Sequence, residues 1–436
     1  MKKRVLGVMA LASIIGLVGC GQTEEVKETP TELVTELSEP VEIEFWHTMS
    51  GALGETINTL VKNFNDTVGA EKGITVESVY QGGYADAKAK VVASLKAGTS
   101  PHIIQGTIND VKEYLQSGAV QSLNEYIFNE KVGIEDFEDI YEVYRTESSS
   151  YDQDGTFYSL PFAKSTDLLF YNKTFMDEHG FEMPTTWDGL TELAQQITDI
   201  TGKPALSFDN TTNYFVTSLF QLGAEYTNTD GEVLFNSPES METSVQVLTL
   251  LKDNYDKGIW RLAGEDKYSS APFLSQNVQM FIGSSAGASY LGTDEFEWEA
   301  VNIPQFDENN VKNIQQGNNI AVFNQNKSSE EVYASYEFIK YLASYEANLY
   351  WVLNTGYLPL RATVSQSPEY VEMASSDSVK ASGVNAVESG FTEPIFATDT
   401  LNSNMVRNEV WAMTDNILLN DMDIVEALNF HADRLK

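Results

Sequence analysis

The one stretch of this sequence with the spacing of a reaction site is Gly283-Ser284-Ser285-Ala286-Gly287, a G-x-S-x-G pattern that follows an apolar run, 278–282, read as a strand. In a serine hydrolase such a turn exposes the central serine, here Ser285, and an acid and then a histidine follow downstream. Asp415 and His431 stand in that order. The surroundings argue against it: Tyr290-Leu291-Gly292-Thr293 reads as a loop where a helix is needed, no HGGG-type segment precedes it, and His431 falls in a helical tail. A hydrolase using Ser285 is therefore the minor reading, and a non-catalytic protein the main one. His47, His102, His179 and His431 have no HExxH or other close metal spacing. Asp152-Gln153-Asp154-Gly155 and Asn228-Thr229-Asp230-Gly231 open like calcium loops but lack the glutamate at the twelfth position, and read as hairpin turns. Gly82-Gly83 has no P-loop lysine. No metal and no cofactor is expected.

Binding chemistry is better supplied. Trp46-His47-Thr48-Met49-Ser50-Gly51, Gln81-Gly82-Gly83-Tyr84 and Gln105-Gly106-Thr107 combine glycine, hydroxyl, amide and aromatic groups with no acid. That mixture suits a hydroxyl-bearing ligand better than a metal ion. Each loop follows a predicted strand, at 41–46, 74–80 and 102–105, and precedes a helix. In the first helix Ile57, Leu60, Val61 and Phe64 recur at helical spacing, and Val91, Val92 and Leu95 mark the second. Three βα units in series imply a parallel sheet covered by helices, and in such sheets ligands gather beyond the carboxyl ends of the strands, where these loops lie. Further on, strands are expected at 167–171, 204–208, 278–282, 298–303 and 319–323, helices at 212–222 and 240–255, and a helical region from 344 onward.

The chain begins with Lys2, Lys3 and Arg4, an apolar run over 5–18 and the small-residue close Leu17-Val18-Gly19-Cys20. This is the form of a signal peptide, 1–19, and its core is too short to span a bilayer. Cys20 is the sole cysteine. Standing at that boundary it reads as a lipid-attachment site, and disulfides are excluded. Residues 20–40, rich in Thr, Glu, Pro and Val, read as a disordered tether. The body is then an extracytoplasmic domain held to the membrane through its lipid anchor only. With 436 residues, 42% of them hydrophobic, it can bury a sizeable core. A net charge of -37 repels polyanions, so nucleic acid is not a partner.

Six motifs occur in a familiar order: Phe45-Trp46-His47-Thr48-Met49, Tyr80-Gln81-Gly82-Gly83-Tyr84, Ser165-Thr166 before Tyr171-Asn172-Lys173, Pro184-Thr185-Thr186-Trp187, Ser284-Ser285, and Thr355-Gly356-Tyr357-Leu358-Pro359. From Val41 to Lys436 the chain resembles the large sugar-type extracellular solute-binding proteins of ABC importers, and within them the glycerol-3-phosphate-binding branch. The resemblance implies an α/β, two-lobed periplasmic-binding-protein-like fold with a hinge and an interlobe ligand cleft. It implies an N-terminal lobe of 41–163 plus 288–343 and a C-terminal lobe of 164–287 plus 344–436. It also implies a monomer that closes on a small ligand (glycerol 3-phosphate, a glycerophosphodiester or a sugar, an oligosaccharide being the alternative) and delivers it to the transmembrane subunits of an ABC permease. Carried over by position, the ligand-binding residues are Tyr84 and Gly317 on the first lobe, Ser165 and Ser284 at the crossovers, and Tyr357 and Arg407 on the second lobe. Tyrosines offer a ring face with a hydroxyl, serines donate or accept, Gly317 admits a ligand oxygen close to the backbone, and Arg407 is the fork for an anion. Two departures bear on the ligand. Ile108 stands where the branch has an acid, and its tryptophan pair after the strand near Phe208 is missing, with Phe208 and Tyr214 the nearest aromatic substitutes.

Overall fold

The alternation in Val41-Glu42-Ile43-Glu44-Phe45 makes a strand with one buried face, because successive side chains of a strand point to opposite sides: Ile43 and Phe45 are buried while Glu42 and Glu44 are exposed. The computed structural model describes residues 33–436. The signal peptide, Cys20 and the first part of the tether lie outside the described residues. Residues 34–40 run along the body without regular structure, and the Ser38 N–H donates to the Glu330 carboxylate at 3.0 Å.

Among the described residues ten strands form one mixed sheet: β1 (Val41–His47), β2 (Ile74–Tyr80), β3 (Ile103–Gly106), β4 (Leu160–Asn172), β5 (Leu206–Phe208), β6 (Trp260–Leu262), β7 (Met280–Ser284), β8 (Trp298–Asn302), β9 (Asn313–Val322) and β10 (Gly390–Phe391). Their order is β2-β1-β3-β9-β4-β7-β5-β6, with β10 on β9 and β8 on β4. β1 runs parallel to β2 and β3, as the three βα units require. The parallel expectation ends there, since β9 is antiparallel to β3 and β4, and β7 to β4.

Helices start and stop on local signals. Thr186 caps the Trp187–Thr201 helix by accepting from the Gly189 N–H, and Gly202 ends it at φ 67°. Ser328 and Glu331 form a reciprocal capping box for Ser329–Leu342. The described body has a large apolar cluster around Trp187, Phe215, Trp260 and Val410 in its second half, and a smaller one around Val91, Ile104, Val111 and Phe323 in its first. The Tyr345–Leu353 helix packs on Gly51–Phe64 and Ser329–Leu342, both elements of the first half.

Two strands are longer than periodicity indicated. The strand expected at 167–171 is β4, thirteen residues and buried throughout; the one expected at 319–323 begins at Asn313. Their hidden parts are polar, Lys164-Ser165-Thr166-Asp167 and Asn313-Ile314-Gln315-Gln316-Gly317, so no alternation announces them. They pair with one another, Ser165 opposite Gln316 and Lys164 opposite Gly317, beside a register shift between Pro161 and Ala163. This pair is the crossover between the halves of the sheet.

Gly317 has φ 107°, and a Cβ there would stand 2.0 Å from the Ala163 carbonyl oxygen. The strand irregularity by itself requires a glycine, apart from any ligand. Gly317→Ala is expected to cost more than about 4 kcal/mol, read as a collapse of the urea midpoint. Gly287→Ala, where a Cβ meets nothing within 4 Å, serves as the near-neutral control.

Candidate functional site

The carboxyl ends of β1, β2 and β3 open on the same edge, and the crossover of β4 with β9 forms the floor beside them. Ser165 and Asp167 share one face of β4, since strand neighbours alternate. Ser284 lies opposite Asp167, and Gly317 sits one position from Gln316 on β9. Tyr357 arrives from the C-terminal region: the Leu358 N–H donates to the Lys164 carbonyl at 2.8 Å, fixing the loop to the crossover. Tyr84, the first residue of the Tyr84–Ala97 helix, accepts from Asn318 Nδ2 at 3.0 Å. Arg407 reaches the same place through Asn213. All six residues carried over from the resemblance thus lie around one crossover, but in different states.

Tyr84 is half-exposed and Ser165 is buried, with no side-chain hydrogen bond among the described residues. Ser284 Oγ accepts from the Ala286 N–H at 3.3 Å, capping the turn after β7. Tyr357 is buried; its ring stacks on Trp351 at 5.3 Å and its hydroxyl points to Met49 Sδ at 3.6 Å. Burial, then the phenols of Tyr84 and Tyr290, push its pKa well up. It is as much a packing residue as a wall.

Arg407 does not lie on a helix surface. From the Ser403–Leu419 helix its Nη1 donates to both carboxylate oxygens of Glu393, at 2.6 and 2.5 Å, and its Nη2 donates to Asn213 Oδ1. Asn213 Nδ2 donates in turn to Asp167 Oδ2 at 2.9 Å and to Gln316 Oε1 at 3.1 Å. Asp167 is buried, and desolvation outweighs the Asn213 bond to push its carboxyl up to about 6, with Asp209 adding to the shift and Arg407 opposing it. Burial likewise raises Asp209, whose carboxylate accepts from the Ser269 N–H at 2.6 Å.

Sequence reading missed several wall residues. Tyr80, Tyr268 and Tyr290 are exposed by 51%, 66% and 59%, values that set them apart from the buried aromatics of the core. After partial burial, the phenols of Tyr84, Tyr268 and Tyr80 push the Tyr290 phenol up, so rings from both halves of the chain stand near one another. The substitutes named from sequence do not serve: Tyr214 is in the core, edge-on to Trp187 and Phe208. Among the described residues Gln105 Nε2 and Asn318 Oδ1 are buried without a protein partner, the kind of polar atom that calls for one. Burial holds His47 down to about 4, so it is neutral here.

Lys88 bonds Asp110 at 3.1 Å and Glu113 at 2.6 Å, and Asn404 Nδ2 donates to the same two carboxylates at 3.1 and 2.8 Å. These bonds tie the start of the Ser403–Leu419 helix to the Ile108–Tyr114 helix across the site. Two cavities flank the wall, neither lined by any of the six residues. One of about 680 Å³ lies beyond β5 and β6, between Asp209, Trp411 and Asp415; one of about 810 Å³ lies among Ser289, Gly356 and Lys380.

The hydrolase constellation is not assembled. Ser285 is fully buried with its Oγ accepting from the Thr166 N–H, at the start of a single 3-10 turn, Ser285–Tyr290, after which Leu291-Gly292-Thr293 run as the expected loop rather than a helix. His431 bonds Glu409 and Asn416, while Asp415 accepts from Trp411.

A crossover-joined α/β body whose strand ends and aromatic loops converge from both halves is a two-lobed ligand-binding protein. The chain belongs to the bacterial extracellular solute-binding protein family, whose model matches residues 59–375, and it is a substrate-binding protein of an ABC importer, extracytoplasmic in location. It is 25% identical over 348 residues to the sn-glycerol-3-phosphate-binding periplasmic protein UgpB of Agrobacterium fabrum, covering 73% of this chain and 74% of that one. With the UgpB of Rhizobium meliloti it shares 25% over 382 residues, 81% and 80% of the two chains. Among solved structures, UgpB of Mycobacterium tuberculosis in complex with glycerophosphocholine superposes with a TM-score of 0.77 at 18% identity, covering 92% of this chain and 98% of that one. The cyclic alpha-maltosyl-1,6-maltose binding protein of Arthrobacter globiformis gives 0.75 at 21%, covering 91% and 98%.

Asp167 makes the site's acid response testable. Its folded pKa, about 6, lies above the ordinary 3.8, so its contribution to stability is full below pH 4 and is lost as pH rises through 6. At pH 7 the buried charge costs on the order of 3 kcal/mol. Asp167→Asn is expected to raise Tm at pH 7 and to flatten the decline between pH 4 and 6; a Tm profile parallel to that of the wild type contradicts the assignment.

Proposed function

We propose that the chain captures a neutral, polyhydroxylated solute, a sugar or short oligosaccharide, at this wall. The observation that carries the reading is the convergence of exposed phenol rings from segments far apart along the chain, Tyr80 and Tyr84 with Tyr268 and Tyr290. Ring faces cover the C–H faces of a sugar and their hydroxyls meet its rim. Gln105, Asn318 and Ser165 bring unpaired donors and acceptors to its hydroxyls, and Asp167 adds acceptor capacity. Tyr84, Ser165, Ser284, Gly317 and Tyr357 serve as the contact set, with Arg407 behind them.

A second reading, glycerol 3-phosphate or a glycerophosphodiester, is favoured by the names of the relatives, one glycerol-3-phosphate-binding and one solved with glycerophosphocholine. It requires Arg407 to exchange Glu393 for a phosphate. In both readings the protein is non-catalytic and monomeric. The lobes, 41–163 plus 288–343 and 164–287 plus 344–436, with the Tyr345–Leu353 helix carried by the first through its packing there, hinge about the crossovers, and the permease receives the closed form. Cys20 after a cleaved signal peptide carries the acyl anchor, and the tether holds the body off the membrane.

Thermal unfolding of the chain from Gly21 onward, screened against mono- and oligosaccharides, glycerol 3-phosphate and glycerophosphodiesters, tests the reading. A ligand at one hundred times its Kd adds about 2.7 kcal/mol of stability. A saccharide is expected to raise Tm, with Tyr290→Ala and Tyr84→Ala each weakening its binding about tenfold, a loss of about 1.4 kcal/mol, at unchanged unliganded Tm. Tyr357→Ala should lose both affinity and about 3 kcal/mol of stability, since its ring is packed. A shift with glycerol 3-phosphate and with no saccharide selects the second reading.

A further inference from the structure

Glu393 lies on a segment that binds both halves of the molecule. Beyond β10, Ile395 is buried in the first-half cluster with Val111, Tyr114 and Tyr151, while its neighbour Phe396 is buried in the second-half cluster. Gln116 Nε2 from the first half donates to the Thr398 carbonyl at 3.0 Å, and the Thr398 N–H donates to the Leu401 carbonyl at 2.7 Å, turning the chain back toward Ser403. A segment clamped on both sides holds its side chains in one place. Glu393 is thereby set against Arg407, its carboxylate accepting from Arg407 Nη1 through both oxygens and from the Tyr226 hydroxyl at 2.7 Å. The two side chains are 11% and 15% exposed, so water does little to loosen the pair.

We propose that Glu393 is a specificity-determining residue, an internal anion that fills the Arg407 fork and excludes phosphate- and carboxylate-bearing solutes from the cleft. The inference rests on the reading that Arg407 backs the ligand wall. An arginine fork is the group that recognises a phosphate, and here both ends of the fork are engaged, one by Glu393 and the other by the Asn213 amide. A phosphate entering the fork displaces Glu393 into a poorly hydrated place that already holds Asp167, and a partly buried carboxylate deprived of its cation is costly. Discrimination then comes from the penalty placed on the wrong ligand as much as from contacts with the right one. Neutral hydroxyls meet no such penalty, because they need not displace Glu393, and Asp167 and Gln316 each keep bonding capacity beyond their contacts with Asn213.

The test titrates glycerol 3-phosphate, inorganic phosphate and a saccharide panel against the wild type, Glu393→Gln and the double variant Glu393→Gln with Arg407→Gln. The wild type is expected to ignore both phosphates. Glu393→Gln keeps the shape, removes the charge and should gain at least tenfold in affinity for glycerol 3-phosphate, about 1.4 kcal/mol, and the double variant should lose that gain. Glu393→Ala supplies a second readout if the amide variant folds poorly: its lowered Tm should be restored by inorganic phosphate, which leaves the wild-type Tm unmoved. Tight phosphate binding by the wild type overturns the proposal, as does a gain that survives loss of Arg407 or an equal response of all variants. A saccharide that binds the wild type while Glu393→Gln gains nothing leaves the sugar reading intact and removes this one. No saccharide binding, with the gain present, does the reverse.

Discussion

The structure depends on keeping four polar residues in the middle of a buried strand. Lys164, Ser165, Thr166 and Asp167 lie buried where β4 leaves one half of the sheet for the other, and a buried polar group is costly unless it is hydrogen-bonded. Three find partners far along the chain. Lys164 Nζ pairs with the Glu147 carboxylate and donates to Asn319 Oδ1 at 3.3 Å. Thr166 Oγ1 donates to the Ile314 carbonyl at 2.8 Å, and Asp167 accepts from Asn213. Ser165 is left with its hydroxyl unengaged, at the floor of the candidate cleft. The same requirement that holds the halves together thus places polar groups at the base of the site.

Charge follows a related logic. The chain has 27 basic residues against 64 acidic ones, and many of its buried or half-buried cations are spent inside. Lys164 is held by Glu147, Lys88 by Asp110 and Glu113, Arg361 by Asp139, and Arg407 by Glu393. Burial works against the charge on Lys88, but its two carboxylates outweigh it and hold the pKa up. A wall whose arginine is already held by a carboxylate differs in kind from one with a free guanidinium, even where the fold and the position of the arginine agree. Likeness of fold carries the class of the protein, while the ligand is decided by which of these side chains remain available.

The serine motif illustrates the same separation. Gly283-Ser284-Ser285-Ala286-Gly287 does run from the end of a strand into a single 3-10 turn, yet its central serine faces inward and bonds the crossover. Ser285 is a structural acceptor for the Thr166 N–H. A nucleophile needs exposure and a base within reach, and the five-residue pattern encodes neither.

The sequence by itself determined what local interactions decide. The first three strands and their helices, the helix caps and the order of elements were legible because apolar residues recur at i, i+2 or i, i+4 and because serine, threonine and glycine mark ends. The loops at the strand ends were legible for the same reason, and resemblance located six residues that do lie around one crossover. The tertiary structure alone decided the rest. The polar halves of β4 and β9 leave no periodic trace, since their burial is compensated by partners such as Glu147, Ser285 and Asn213. Tyr80 and Tyr84 meet Tyr268 and Tyr290 only when segments some two hundred residues apart pack together, and Glu393 is held against Arg407 by a segment whose Ile395 and Phe396 are anchored in different clusters. Contacts between residues far apart along the chain depend on where whole elements pack, and side-chain spacing within one element carries no record of them.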